Sequence, residues 1–156
     1  MASLSKARLL ALLLPLVLMA GALGSQFIGG LYPCEMCHWQ RWPHYTAILL
    51  ALLAFLIPQR GVQRALILLA AIAIAASGAI GVFHAGVEYG WWEGITACSV
   101  INSGSGQDIL ADIMSSPLIR CDVAPWSLFG ISLAGFNAIF SLGGAMLILW
   151  LWLKSR

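Results

Sequence analysis

The sequence predicts an all-α membrane protein: a bundle of four transmembrane helices with two outward loops, the second carrying a short surface helix. Three observations predict it. The chain of 156 residues is 61% hydrophobic and only 9% charged, which is too little polar surface for a water-soluble globule of that size. Its apolar residues fall in four long blocks, and its charges are sorted by sign between alternate connecting segments.

The blocks run over about 9–28, 39–57, 65–85 and 126–153. Each is near the roughly 20 residues that cross about 30 Å of hydrocarbon at about 1.5 Å per residue, and the fourth is long enough to cross with tilt. The second contains Pro43 and ends before Pro58. A helix starting at Pro43 would be short for a crossing, so this one is expected to begin upstream and bend at the proline. Pro15 is expected to kink the first helix. The basic start, the run Leu9 to Met19 and the small residues Ala20-Gly21-Ala22 also suit a cleaved signal peptide. The apolar run continues to Phe27 and Ile28, which favours a retained helix.

Short segments rich in Lys and Arg stay in the cytoplasm. Lys6 and Arg8, Arg60 and Arg64, and Lys154 and Arg156 mark the N-terminus, the middle loop and the C-terminus, which therefore share the inner side. The acids Glu35, Glu88, Glu93, Asp108, Asp112 and Asp122 all fall in the other two loops, at about 29–38 and 86–125, which face outward. Trp39, Trp42, Trp91, Trp92 and Trp126 sit at the predicted outer interface, and Trp150 and Trp152 at the inner one, as amphipathic rings prefer. The net charge of +2 is accounted for by this topology and gives no reason to expect nucleic acid. With no repeat or long linker, the chain reads as a single membrane domain.

Function must then reside in the outer loops. In the second, Asp108-Ile-Leu-Ala-Asp-Ile-Met114 places Ile109, Leu110, Ile113 and Met114 on one helical face, the pattern of a short helix lying on the bilayer. The stretches 102–106 and 115–117 around it read as flexible. All four cysteines, Cys34, Cys37, Cys98 and Cys121, lie in the outward loops, which in an oxidising compartment invites disulfides. Cys34 and Cys37 have the C-x-x-C spacing of thiol oxidoreductases, whose sulfurs close a small ring and open again. Cys98 and Cys121, within one loop, read as a second exchangeable pair. A four-cysteine zinc site fits poorly, because that second spacing is wide. Two purely structural disulfides remain an alternative. So does haem: Cys34-Glu-Met-Cys37-His38 matches the C-x-x-C-H attachment signature with His38 as axial ligand, although the short loop offers little pocket.

A thiol oxidant must hand its electrons on, and a membrane-embedded chain has a lipid-soluble quinone within reach. If the second helix begins near Cys37, Arg41 lies one turn along on the same face. A cation there favours the Cys37 thiolate, as does the helix N-terminus, and it stabilises charge developing on a quinone oxygen. Snorkelling to outer phosphates is the plainer reading of Arg41. His84, with Glu88 a turn further on, could donate to a bound quinone or simply cap interfacial polar groups. His38 and His44 show no role beyond interface polarity.

The run Tyr32-Pro-Cys-Glu-Met-Cys-His-Trp-Gln-Arg41, the later cysteine pair and Cys121-Asp-x-x-x-Trp126-Ser-Leu-Phe-Gly130 together resemble the disulfide bond formation protein B family over essentially the whole chain. The resemblance implies a four-helix bundle in the bacterial inner membrane with cytoplasmic termini. It implies ubiquinone or menaquinone as electron acceptor and a soluble periplasmic thioredoxin-like oxidase of the DsbA type as partner. On matching positions it implies that Cys98 is attacked by the reduced partner and that Cys121 completes that pair and exchanges with Cys34. Cys37 then faces the quinone, with Arg41 beside it and His84 near the ring. Gln40 stands where some relatives carry an acid.

Overall fold

A computed structural model describes residues 2–95 and 119–155 of the chain. Four α-helices account for most of them: α1 (Ala2–Phe27), α2 (Glu35–Leu56), α3 (Arg60–Glu88) and α4 (Leu133–Leu153). Three, namely α1 from Ser3, α3 and α4, are long and apolar enough to cross a membrane, so this is a membrane protein. The fourth, α2, has the length but gathers polar side chains in its first half. Of these, Gln40, Arg41 and His44 are buried against the bundle and not turned outward.

Successive helices run up and down. α2 packs broadly on α3 and α3 on α4, while α1 closes the ring against α2 and α4. The lower core is small-residue packing, with Ala7, Ala11, Ala47, Ala51, Ala54, Ala70, Ala71 and Ala145 around Ile67, Ile74 and Ile148. That is how apolar helices associate in lipid: burial supplies little drive there, so close approach must supply dispersion contact. Gly81 of α3 illustrates it, since an added Cβ would lie 3.0 Å from the Ala134 carbonyl of α4. Large apolar side chains such as Leu9, Val17, Leu69, Ile72 and Leu147 face outward.

Most of the basic residues collect at one end. Arg8 reaches the Ala54 carbonyl and stacks over Phe55. Arg64 lies over Trp152, whose indole donates to the Arg64 carbonyl at 2.9 Å. Ser3 donates to the Leu151 carbonyl at 2.7 Å. These contacts bring together the start of α1, the α2–α3 connection and the end of α4, the three basic segments of the sequence.

One local feature meets expectation and another departs from it. As anticipated, α2 begins upstream of Pro43, with Cys34 as its N-cap, and it runs through the proline. The fourth apolar block, however, is not helical from Trp126. Ser127–Leu128 and Ile131–Ser132 form a two-stranded hairpin first. Its turn residues Phe129 (φ 52°) and Gly130 (φ 78°) both have positive φ, as a tight two-residue hairpin turn needs. Ser132 then caps α4 by accepting from the Gly135 N–H at 3.1 Å. The hairpin is pinned by Tyr89, whose hydroxyl donates to the Gly130 carbonyl and accepts from the Ser132 N–H. The expected surface helix at 108–114 lies outside the described residues.

Candidate functional site

Opposite the basic end, a second buried cluster joins the start of α2 to the end of α3 and the segment before the hairpin. It contains Cys34, Met36, Val87 and Cys121, with Cys37, Trp39, Phe83 and Ile119 packed against it. Cys34 and Cys37 are free thiols, whereas Cys121 is disulfide-bonded, which excludes both cysteines of the first loop as its partner. The fourth cysteine, Cys98, lies outside the described residues.

The helix start sets the geometry of the dithiol. Cys34, in extended conformation at the N-cap, turns its sulfur back to accept the Cys37 N–H at 3.3 Å. One turn of helix then brings the Cys34 and Cys37 sulfurs to 2.8 Å. Both lie ahead of the apolar run that begins at Trp39. The Cys34 thiol donates to Cys37, and this, followed by burial, pushes Cys34 far above the ordinary thiol range. The same hydrogen holds Cys37 below its ordinary value, against the opposing effect of burial. Arg41 acts in the same direction but more weakly than Cys34.

Arg41 does not snorkel. It is buried and reaches across to α1, donating to Gln26 Oε1 at 2.5 Å and to the Ala22 carbonyl at 3.2 Å. His84 enters from α3. Its Nε2 lies 3.5 Å from the Cys34 sulfur and 3.7 Å from Glu88 Oε1, and its Nδ1 lies 2.8 Å from Gln40 Nε2. Glu88 is held in turn by the Ser132 hydroxyl. The structure thus brings Cys34, Cys37, Cys121, Arg41 and His84 to one end of the bundle.

Beneath the sulfurs lies a cavity of about 230 Å³ lined by Cys37, Gln40, Arg41, His84, Glu88 and Asn137 on its polar side. Val17 and Leu18 of α1 and Phe136 and Phe140 of α4 line its apolar side. Val17 and Phe140 are themselves exposed, so the cavity opens toward lipid between α1 and α4. The atoms Cys34 Sγ, Cys37 Sγ and His84 Nε2 also lie within 4.8 Å of one another, close enough for a metal ion. His38, the histidine of the haem signature, is exposed; the imidazole that meets the sulfurs is His84.

Sequence reasoning missed the polar layer under the dithiol. Gln40, His44, Ser77, Asn137 and Ser141 form a hydrogen-bonded network across α2, α3 and α4. The available signal was polar residues recurring inside apolar blocks, which are costly in a membrane unless partnered. Read that way, His44 belongs in the bundle interior and not at an interface.

Paired thiols at the end of an apolar helical bundle, beside a further disulfide, place this chain among membrane oxidoreductases that act on thiols. Comparison with known proteins names the group. The sequence profile "Disulfide bond formation protein DsbB" matches residues 5–151, and the chain belongs to that family, which serves disulfide bond formation as membrane oxidases. It is also 26% identical over 122 residues to an uncharacterized protein, RP370, of Rickettsia prowazekii (strain Madrid E), covering 76% of this chain and 70% of the relative. No solved structure matches it.

Proposed function

We propose that the chain is an inner-membrane thiol:quinone oxidoreductase that reoxidises a soluble periplasmic thioredoxin-like oxidase of the DsbA type and passes the electrons to ubiquinone or menaquinone. All four helices span the bilayer in this reading, with both termini cytoplasmic and the cysteine loops periplasmic. The observation that carries it is the cavity. One wall holds the Cys37 sulfur, Arg41 and His84, and the mouth opens between α1 and α4. At about 230 Å³ it is smaller than the roughly 300–1,000 Å³ of sites that enclose a drug-sized ligand. It therefore suits a quinone ring whose long tail runs out into lipid.

The order of transfer is the one the family resemblance implies, and the closeness of Cys121 to Cys34 and of Cys37 to the cavity supports it. The partner's dithiol reduces the Cys98/Cys121 disulfide and is itself oxidised. The resulting thiols reduce the Cys34/Cys37 disulfide, an exchange favoured by the packing of Cys121 and Cys34 in one buried cluster. A quinone in the cavity would take up two electrons and two protons, becoming quinol as the Cys34/Cys37 dithiol returns to a disulfide. Cys37 serves as the reacting sulfur because Cys34 stabilises its thiolate and because it lines the cavity. Arg41 offers a fixed positive charge to oxygen at the ring edge, and His84 offers a hydrogen.

The test is a coupled assay with purified protein, a reduced DsbA-type partner and ubiquinone, followed by quinone absorbance. Turnover is expected to require Cys37 and Cys98. An intact rate in either serine variant would rule out the relay.

A further inference from the structure

His84 has two ring nitrogens, and its surroundings assign them different tasks. Nδ1 faces the Gln40 side-chain amide, so the tautomer depends on which end of that amide is the nitrogen. A backbone carbonyl decides it: the atom that meets Nδ1 at 2.8 Å also lies 3.2 Å from the Met36 carbonyl. A carbonyl only accepts, so this atom must be the NH2 group.

The other end of Gln40 is fixed by the same logic. Its Oε1 lies 2.8 Å from Asn137 Nδ2, which lies 3.2 Å from the Ser77 carbonyl and is therefore an NH2 group too. Asn137 Oδ1 then accepts from the Ser141 hydroxyl at 2.8 Å and from His44 Nε2 at 3.0 Å. The Ser77 hydroxyl donates to the Gln40 carbonyl at 2.7 Å and accepts from Asn137 Nδ2 at 3.1 Å. Donors and acceptors match along the path from Ser77 and Asn137 to His84, while His44 Nδ1 is buried without a hydrogen-bond partner among the described residues, and two backbone carbonyls anchor the set.

A ring nitrogen that accepts from an amide carries no hydrogen, so neutral His84 bears its hydrogen on Nε2. That nitrogen faces the Cys34 sulfur, Glu88 and the Cys121 backbone, beside Cys37 and Arg41. A metal-binding imidazole is arranged the other way round. It turns a bare nitrogen to the ion and donates its other N–H to a carboxylate or carbonyl. The reduced dithiol and His84 stand close enough together to hold zinc, yet the third ligand is facing them with its hydrogen.

We propose that Gln40, held in place by Asn137, fixes His84 as an Nε2–H donor, so that the reduced dithiol receives a hydrogen-bond donor and is denied a third metal ligand. Gln40 is then a positioning residue that acts through His84. The value of this arrangement rests on the dithiol being the working site proposed above, but the tautomer can be read without turnover.

Nitrogen NMR of reduced protein labelled at histidine is the direct test. His84 is expected to show a hydrogen-bearing Nε2 and a bare Nδ1, and the opposite assignment would overturn the proposal. Zinc titration of reduced protein against a chromophoric chelator is the second readout. In Gln40→Glu the carboxylate accepts from Nδ1–H and frees Nε2, so zinc affinity is expected to rise about 10–100-fold. Adding His84→Ala to that variant removes the gain, whereas His84→Ala alone changes affinity less than about twofold. A tenfold loss of zinc affinity in His84→Ala alone, or a Gln40→Glu protein with unchanged affinity, would show that His84 is already a ligand or that Gln40 does not set its tautomer.

Discussion

The two sulfurs at the start of α2 are chemically unequal although they are three positions apart on one turn. The hydrogen bond between them pushes Cys34 above the ordinary thiol range and holds Cys37 below it. Because donation from Cys34 is the largest influence on Cys37, Cys34→Ala is expected to move Cys37 titration upward toward the ordinary thiol range. The sign follows from the physics: removing a donor to the thiolate destabilises the charged form, so more alkaline pH is needed to produce it. The pH profile of iodoacetamide alkylation at Cys37 measures this, and an unmoved midpoint would transfer the effect to Arg41 or the helix N-terminus. Arg41 itself makes two hydrogen bonds to α1. Arg41→Lys keeps the charge but not a fork able to reach both acceptors, and Arg41→Ala keeps neither. Apparent quinone KM is expected to rise in both, more in alanine, while single-turnover oxidation of the partner by fully oxidised protein is little changed. An unaltered KM in Arg41→Ala would leave the residue a purely structural tie.

At the scale of elements, the end of α3 and the start of α4 form one device. Ser132 caps α4 and also holds Glu88, while Tyr89 pins the hairpin that delivers Ser132. Ser132→Ala removes a cap worth about 1 kcal/mol and leaves Glu88 without that partner. Its thermal midpoint in detergent is expected to fall by a few degrees, and an unchanged midpoint would show that the cap contributes little. Gly86 is the other constraint here. A Cβ added to it would meet the Trp92 ring at 2.0 Å, so Gly86→Ala must displace an indole that stacks on Phe83 and donates to the Phe83 carbonyl. A cost of about 1–3 kcal/mol is expected from such overpacking, read in the same melt. Helix content was legible in the apolar blocks because length and hydropathy decide it. The hairpin was not, because Trp126 to Ser132 is itself largely apolar and its break from helix depends on two positive-φ residues and on Tyr89, far away in the chain.

For the molecule as a whole, the helices keep the thiol chemistry at one end and most basic residues at the other. If Cys121 passes electrons between the two pairs, Cys121→Ala should block oxidation of the partner while a pre-reduced Cys34/Cys37 dithiol still reduces quinone in a single turnover. Stopped-flow absorbance separates the two steps. Loss of both in a folded protein would mean that Cys121 supports the cavity and does not only relay electrons. Its burial beside Cys34 makes that comparison worth running alongside a circular dichroism check of the fold.

The amino-acid sequence alone determined that this is a helical membrane chain, how its charges are sorted, and that its four cysteines lie in the segments carrying the acids. These are properties of composition and order, and lipid reads them without regard to detailed packing. It also pointed to Arg41 and His84 through helical spacing and family resemblance. Only the tertiary structure decided what surrounds them: that Arg41 is bound to α1, that His84 meets Cys34 from another helix, and that Gln40 and Asn137 determine which nitrogen of His84 carries hydrogen. Those relations join residues from 15 to 97 positions apart. A hydrogen bond depends on distances of a few tenths of an ångström between such residues, which no periodicity along the chain encodes.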